Sequence, residues 1–376
     1  MTLCLGCCYG QWPMHRIARK ILFLVVALAV IGALLYESRG AISLKGFSWA
    51  GLGAAVRGAN LGLLLLSVAA IYLCFWIRAL RWVRLSRAVG PAGVWSVYGA
   101  TLMGFVAIVL LGRAGEPVRP VLIARRENLP VSSMLGIYVV ERVFDISVTI
   151  LLAGWSLVLL PGLLRARESQ SPGAAGSVLL PALQKAGFTL FAGLVAAVVF
   201  LIYLRAHEGG VLARANARWH GRTGWRKRVA GLIEGFLGGL QAIRTWEDLG
   251  VAVGLTAVHW TLIVLIYHWI LASFGGSLAL LDLRAAAITL ACTMLGSTLQ
   301  IPMVGGGSLV GSFLALTVFL GVKEEPAIVA AAALWLVTFA SCTLAGIPLL
   351  LHEGMGLGEL RRMTAGGGMA AIEEKS

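Results

Sequence analysis

Long apolar runs are the feature that most restricts the fold of this 376-residue chain. A helix of about 20 apolar residues crosses a bilayer, and runs of that kind, or somewhat shorter, recur along the whole sequence. They occupy residues 17–36, 61–80, 94–112, 131–160, 186–204, 251–274, 285–300, 309–320 and 328–351. With 59% hydrophobic and 13% charged residues, the chain is predicted to be an all-α polytopic membrane protein.

The basic residues are concentrated between the apolar runs, although the net charge of +14 alone would also suit a nucleic-acid-binding protein. Loops rich in Lys and Arg face the cytoplasm and attract anionic headgroups. We therefore expect membrane lipids as partners, and no nucleic acid. The richest segments, predicted to be cytoplasmic, are residues 15–20, 78–87, 205–228 and 361–362. This distribution predicts a bacterial-type plasma (inner) membrane protein with both termini cytoplasmic.

Counting crossings between the basic segments predicts two re-entrant hairpins. Three runs separate residues 78–87 from 205–228, so one run must enter the membrane and return, and residues 94–112 end in glycine and proline. The same parity argument applies to 285–320. The prediction is about six full transmembrane helices plus two re-entrant hairpins, arranged as an inverted repeat; the alternative is one skewed full helix and accidental symmetry. The predicted hairpin backbone residues are Gly112, Gly115, Pro117, Pro302, Gly305 and Gly306.

The predicted division of the chain places a transmembrane domain at residues 17–351. A cytoplasmic N-terminal tip precedes it at 1–16, and a cytoplasmic tail follows it at 352–376. Translation is expected to begin at Met1 or at Met14, which directly precedes the basic flank. The cysteines show neither a disulfide framework nor metal-site spacing, and His259 and His268 are nine residues apart, so no metal and no cofactor are expected.

Three charged residues interrupt the fourth run: Glu141, Arg142 and Asp145. Each costs about 2.5–3.5 kcal/mol at the bilayer centre if it is unpaired, so all three need partners or water. The segment LGRAGEPVRP supplies candidates. Arg113 and Arg119 are predicted to meet Glu141 and Asp145, and Glu116 is predicted to meet Arg142.

This cluster motivates a binding hypothesis, because the planar fork of arginine matches phosphate oxygens. Arg113, Arg119 and Arg142 are the predicted lipid headgroup ligands. Glu116, Glu141 and Asp145 form the predicted charge network and are the possible proton carriers. The alternative is a purely structural ion network that holds the hairpin to the helix.

The sequence resembles a known family at three motifs. They are Gly112-Arg113-Ala114-Gly115-Glu116 followed by Arg119, then Glu141-Arg142-x-x-Asp145, then Pro302 with Gly305-Gly306. Together they resemble the lysylphosphatidylglycerol synthase transmembrane region, a flippase-like membrane family, over about residues 17–351. The third motif departs from the family pattern, since Ser308 and Gly311 stand where relatives usually have further glycines and a Glu.

The resemblance implies a protein that binds a lipid or moves it between leaflets. The full-length synthases carry a soluble transferase domain after the membrane part, whereas 24 residues follow His352 here, so no enzymatic activity is expected. The predicted cargo is an anionic phospholipid or a polyprenyl-linked lipid. No nucleotide-binding G-x-x-x-x-G-K-[ST] motif occurs, which predicts downhill or ion-coupled transport. The alternatives are a lipid-dependent accessory subunit that moves nothing and, less favoured, a membrane glycosyltransferase.

Overall fold

A computed structural model describes residues 56–168, 245–297 and 306–364, together with a few isolated positions. Within these ranges the chain is helical and has no β-strand. The apolar runs 17–36 and 186–204, the tip 1–16 and residues 365–376 of the tail lie outside the described ranges.

Seven predicted runs correspond to helices. The first group is α1 (Leu61–Ser86), α2 (Val94–Leu111), α3 (Val118–Glu127) and α4 (Val131–Glu168). The second is α5 (Trp246–Ser273), α6 (Leu283–Gly296), α7 (Gly306–Leu314), α8 (Glu324–Trp335), α9 (Cys342–His352) and α10 (Leu357–Thr364). A π-helical turn, Ala315–Phe319, extends α7, and another, Leu336–Ala340, joins α8 to α9.

In the described ranges, four segments are long and apolar enough to cross a membrane: Leu61–Ser86, Val94–Gly115, Trp246–Ser273 and Glu324–His352. The prediction of an all-α polytopic membrane protein is therefore confirmed. The total number of crossings stays a prediction.

Helices α2 and α3 form an antiparallel helical hairpin, hairpin 1. Glycines allow the two limbs to approach closely: a Cβ at Gly104 would overlap Arg119, and one at Gly115 would overlap the backbone of Ala107. The two helices are joined by a 3₁₀ turn, Gly112–Gly115, which Gly112 enters at φ 64°, a conformation open mainly to glycine. At the open end of the hairpin, Gly93 N–H donates to Glu127 Oε2 at 2.9 Å.

Helices α6 and α7 form a second antiparallel hairpin, hairpin 2, in which glycines again allow the two limbs to approach closely. A Cβ at Gly296 would overlap the backbone of Gly307, and one at Gly311 would overlap that of Cys292. Between these contacts, the hydroxyls of Thr293 and Ser312 are 2.7 Å apart. The limbs are thus in contact along most of their length.

The two hairpins open at opposite ends of the helical bundle. At the mouth of hairpin 1, Arg126 forms an ion pair with Glu353, just after α9. The opposite end of the bundle is marked by Asn60, whose N–H donates to Ser273 O at 2.7 Å. Helix α6, the first limb of hairpin 2, begins ten residues after Ser273 in the sequence. Arg113 Nη2 donates to Ser297 O at 3.1 Å, so the tips of the two hairpins meet.

Helix α1 corrects one sequence interpretation. Residues 78–87 were predicted to be a solvated basic loop, but α1 continues to Ser86 and buries Arg78 and Arg81. Arg84 also has partners, since it contacts Glu247 and Asp248 at the start of α5 at 2.6 and 2.9 Å. The segment is therefore mostly a charged helix face that contacts other helices.

Candidate functional site

Two acids on α4 form the centre of a buried charged cluster. Glu141 and Asp145 are one helical turn apart and 0% and 5% exposed. Arg81 of α1 contacts both, with Nη2 at 2.8 Å from Glu141 Oε1 and 3.0 Å from Asp145 Oδ1. Its Nη1 donates to Thr256 Oγ1 at 2.7 Å, so three helices meet at this guanidinium.

Arg78, one turn earlier on α1, joins the same two acids. Its Nη1 is 3.6 Å from Glu141 Oε1, and its Nη2 is 3.3 Å from Asp145 Oδ2. Nη2 also lies 3.4 Å from Nε2 of the buried His259. Because a guanidinium can only donate, Nε2 must accept, and His259 is therefore neutral.

Arg119 brings hairpin 1 into the cluster. Both of its terminal nitrogens contact the Glu141 carboxylate, and its guanidinium lies over the Trp82 ring, 4.9 Å from the centroid. Arg119 is 3% exposed. The missing side chain at Gly104 makes room for it against α2, which explains a glycine in the middle of an apolar helix.

Arg142 lies at the edge of the cluster, and none of the described acids forms an ion pair with it. Its guanidinium lies over the Tyr138 ring, 4.9 Å from the centroid, and its buried Nε has no hydrogen-bond partner. The Tyr138 hydroxyl donates to Glu116, and Glu116 is 3.5 Å from Arg113 in the tip of hairpin 1. The Arg113 side chain is half-exposed.

Of the ion pairs predicted between the segment LGRAGEPVRP and α4, one is present and the others are not. Arg119 meets Glu141, as predicted. Arg113 pairs with Glu116 rather than with Glu141 or Asp145, because it lies in the 3₁₀ turn beside its i+3 neighbour. Glu116 consequently does not form the predicted ion pair with Arg142.

Sequence reasoning missed Arg78 and Arg81, which satisfy the acids in place of Arg113. The available signal was their spacing. Arg78, Arg81 and Arg84 recur every three residues with Trp and Leu between them, which indicates one face of a helix rather than a loop.

Four of the six predicted hairpin backbone residues lie in described segments. Gly112 and Gly115 form the tip of hairpin 1, and Pro117 directly precedes α3, where its fixed φ suits a helix start. Gly306 begins α7 at φ 34°. Pro302 and Gly305 lie outside the described residues.

The cluster has more positive than negative charge. Four guanidinium groups, those of Arg78, Arg81, Arg119 and Arg142, surround only two carboxylates. The Arg113–Glu116 pair beside them is balanced and leaves the excess unchanged. Such a site can accept an anion, whereas no group of His, Cys, Asp and Glu in the described segments could hold a metal ion.

These features define a polytopic helical membrane protein in which two oppositely opening hairpins meet beside a buried cluster of arginines and acids. The family model for the lysylphosphatidylglycerol synthase TM region matches residues 20–346. The chain belongs to this family, as the three sequence motifs predicted. Comparison with curated proteins and with solved structures found no match.

Proposed function

We propose that this protein binds an anionic phospholipid or a polyprenyl-linked lipid at the arginine cluster and moves it between the two leaflets. The observation that carries the proposal is the gathering of four arginines, three of them buried and Arg142 half-buried, around two acids where hairpin 1 packs on α1 and α4. Charged groups at membrane depth are costly and are usually associated with a ligand pathway. Membership of a lipid-related membrane family supports the same function.

The hairpins provide the access that such a carrier needs. Helix α3 has ten residues and is about 15 Å long, half the thickness of a bilayer core of about 30 Å. We propose that both hairpins are re-entrant and that the two tips meet within the membrane. Broken helices that meet from opposite sides are the usual construction of alternating-access carriers.

We propose that the mouth of hairpin 1 faces the cytoplasm of a bacterial-type inner membrane. Arg84, Arg125 and Arg126 all lie at this end of the bundle and contact acids there. The C-terminal helix α10 packs at the same end, since Glu359 is 3.6 Å from Arg125. Basic residues gathered at one end favour the cytoplasmic side.

Movement would be downhill or coupled to an ion, and Glu116 is the preferred proton carrier among the three acids. Glu141 lies within 4 Å of three arginines and Asp145 of two. Among the described residues, Glu116 forms an ion pair with one arginine, Arg113 at 3.5 Å, and accepts a hydrogen bond from the neutral Tyr138 hydroxyl. Protonation of Glu116 would break its ion pair with Arg113.

The test is leaflet exchange in liposomes that contain the full chain and a fluorescent phosphatidylglycerol. Dithionite quenching of the inner-leaflet label reports translocation. We expect exchange by the wild type and at least a tenfold loss in Arg119→Lys, because lysine cannot reproduce the two-point contact. The matched control is Arg125→Lys, on the same helix but at the mouth, which should retain exchange.

The outcomes separate the alternatives. Lipid that co-purifies with the wild type without leaflet exchange would indicate the accessory, non-transporting role. Unchanged exchange and binding in a folded Arg119→Lys protein would show that the cluster is only structural. Covalent change of the lipid headgroup would indicate an enzyme.

A further inference from the structure

We infer that the arginine cluster selects a headgroup with two negative charges, such as a terminal phosphate monoester or a diphosphate, over a singly charged phosphodiester. The inference rests on the proposed function and specifies the chemical class of its cargo. It comes from the charge balance of the cluster.

The excess of positive charge in the cluster is two. Arg78, Arg81, Arg119 and Arg142 contribute four charges, and arginine stays protonated in proteins. Glu141 and Asp145 remove two of them, and His259 is neutral because its Nε2 accepts from Arg78. A dianion would balance the cluster, whereas a monoanion would leave one charge uncompensated at a depth where this is expensive.

The other described acids are engaged elsewhere. Glu116 is paired with Arg113. The remaining acids in contact with arginines lie at the ends of the bundle or on its surface, and they are Glu247, Asp248, Asp282, Glu353 and Glu359. Within the described segments, Glu141 and Asp145 are the acids that form ion pairs with the clustered arginines, so the excess has no further protein counterion there.

Unused hydrogen-bond donors support the same conclusion. The Nε atoms of Arg78, Arg81 and Arg142 are buried and have no acceptor. Buried donors are rarely left unpaired, because each one costs about 1–3 kcal/mol. A phosphate monoester offers three terminal oxygens, and a diester offers only two.

Arg142 gives this site an open side. It is half-buried, and Ile146, one turn further along the same face of α4, is 46% exposed. A headgroup at Arg142 would therefore have its acyl or prenyl chains beside an apolar surface of the bundle.

The experiment compares two probes that differ by one methyl group and one charge. Dioleoylphosphatidic acid is a monoester, and dioleoylphosphatidylmethanol is the corresponding diester. Binding of each to the full chain in nanodiscs of neutral lipid is measured by competition against a fluorescent phosphatidic acid. At pH 8 we expect the monoester to bind about tenfold more tightly or better, because it adds a charge-assisted contact.

The pH dependence isolates the charge of the ligand. A phosphate monoester approaches two negative charges above its second pKa of about 6, so the preference should shrink severalfold at pH 5. Phosphatidylmethanol, which keeps one charge, is the reference for any titration of the protein itself, such as that of Glu116. A ratio of the two affinities that is the same at pH 5 and pH 8 would attribute the preference to something other than the second charge and overturn the inference.

Two matched variants complete the test. Arg142→Gln reduces the excess to one charge and should lower the monoester preference severalfold. Arg87→Gln, at an exposed position just after α1, also removes one positive charge and should leave the monoester preference unchanged. Equal affinity of the wild type for both probes would overturn the selectivity while leaving the proposed function intact. No binding of either probe would overturn both.

Discussion

The two hairpins share one construction and differ in their chemistry. Each brings its limbs together through glycines, Gly104 and Gly115 in hairpin 1 and Gly296 and Gly311 in hairpin 2. Hairpin 1 carries Arg119 into an ionic cluster. In the described part of hairpin 2 the one charged residue is Arg284, exposed near its start, and the interior polar groups are hydroxyls.

This difference separates a hairpin that needs counterions from one that satisfies its polar groups by itself. The buried hydroxyls of Thr289, Thr293 and Ser312 lie within 3.0 Å of carbonyls one turn earlier in their own helices. Such bonds satisfy the hydroxyls locally, so the described part of hairpin 2 needs no counterion. In hairpin 1, by contrast, Arg119 is paired with Glu141 of α4.

Removal of the central acid should therefore have the largest effect. Glu141→Gln leaves Arg78 and Arg81 with Asp145 as their only carboxylate in the cluster and removes the carboxylate that Arg119 contacts. Breaking a buried ion pair by removing one partner costs about 3–5 kcal/mol. We expect a large loss of thermal stability in detergent, followed by fluorescence-detected gel filtration. A protein as stable as the wild type would show that solvent reaches the cluster.

Glycine replacements should have the next largest effect on thermal stability. The loss of stability should be similar in the two hairpins. Gly115→Ala and Gly311→Ala each place a methyl group against backbone, and overpacking of this kind costs about 1–3 kcal/mol. Gly254→Ala in α5 is the control, since no atom lies within 4 Å of a Cβ there. Thermal unfolding of the three variants checks the prediction. Destabilisation by Gly254→Ala alone would contradict the packing of both hairpins.

Loss of a hydroxyl in hairpin 2 should have the smallest effect. Thr293→Val removes the 2.7 Å contact with Ser312, but Ser312 keeps its carbonyl partner Ser308. The expected cost is about 1 kcal/mol, that of one hydrogen bond, with leaflet exchange retained. If Thr293→Val abolished exchange while the protein stayed folded, the ligand site would extend into hairpin 2, and the contrast between the hairpins would fail.

The sequence predicted the helices better than the partners of the charges. Length and hydropathy were enough to locate seven of the runs, and glycine and proline marked the turn of hairpin 1. Glu141 and Asp145 were recognisable because charge inside an apolar run is costly. Their partners Arg78 and Arg81 were not recognised, because arginines at the end of an apolar run look like a loop until the helix is known to continue. The excess of positive charge depends on distances between helices, which no local pattern contains.

The order of synthesis matters for helix α1. Arg81 is made 60 residues before Glu141, and at about 5–20 residues per second its counterion arrives about 3–12 seconds later. During that interval the last turns of α1 carry charges that a bilayer disfavours. Helix α1 should therefore insert fully into the membrane only when α4 has been synthesised. We expect these two helices to integrate together rather than one after the other.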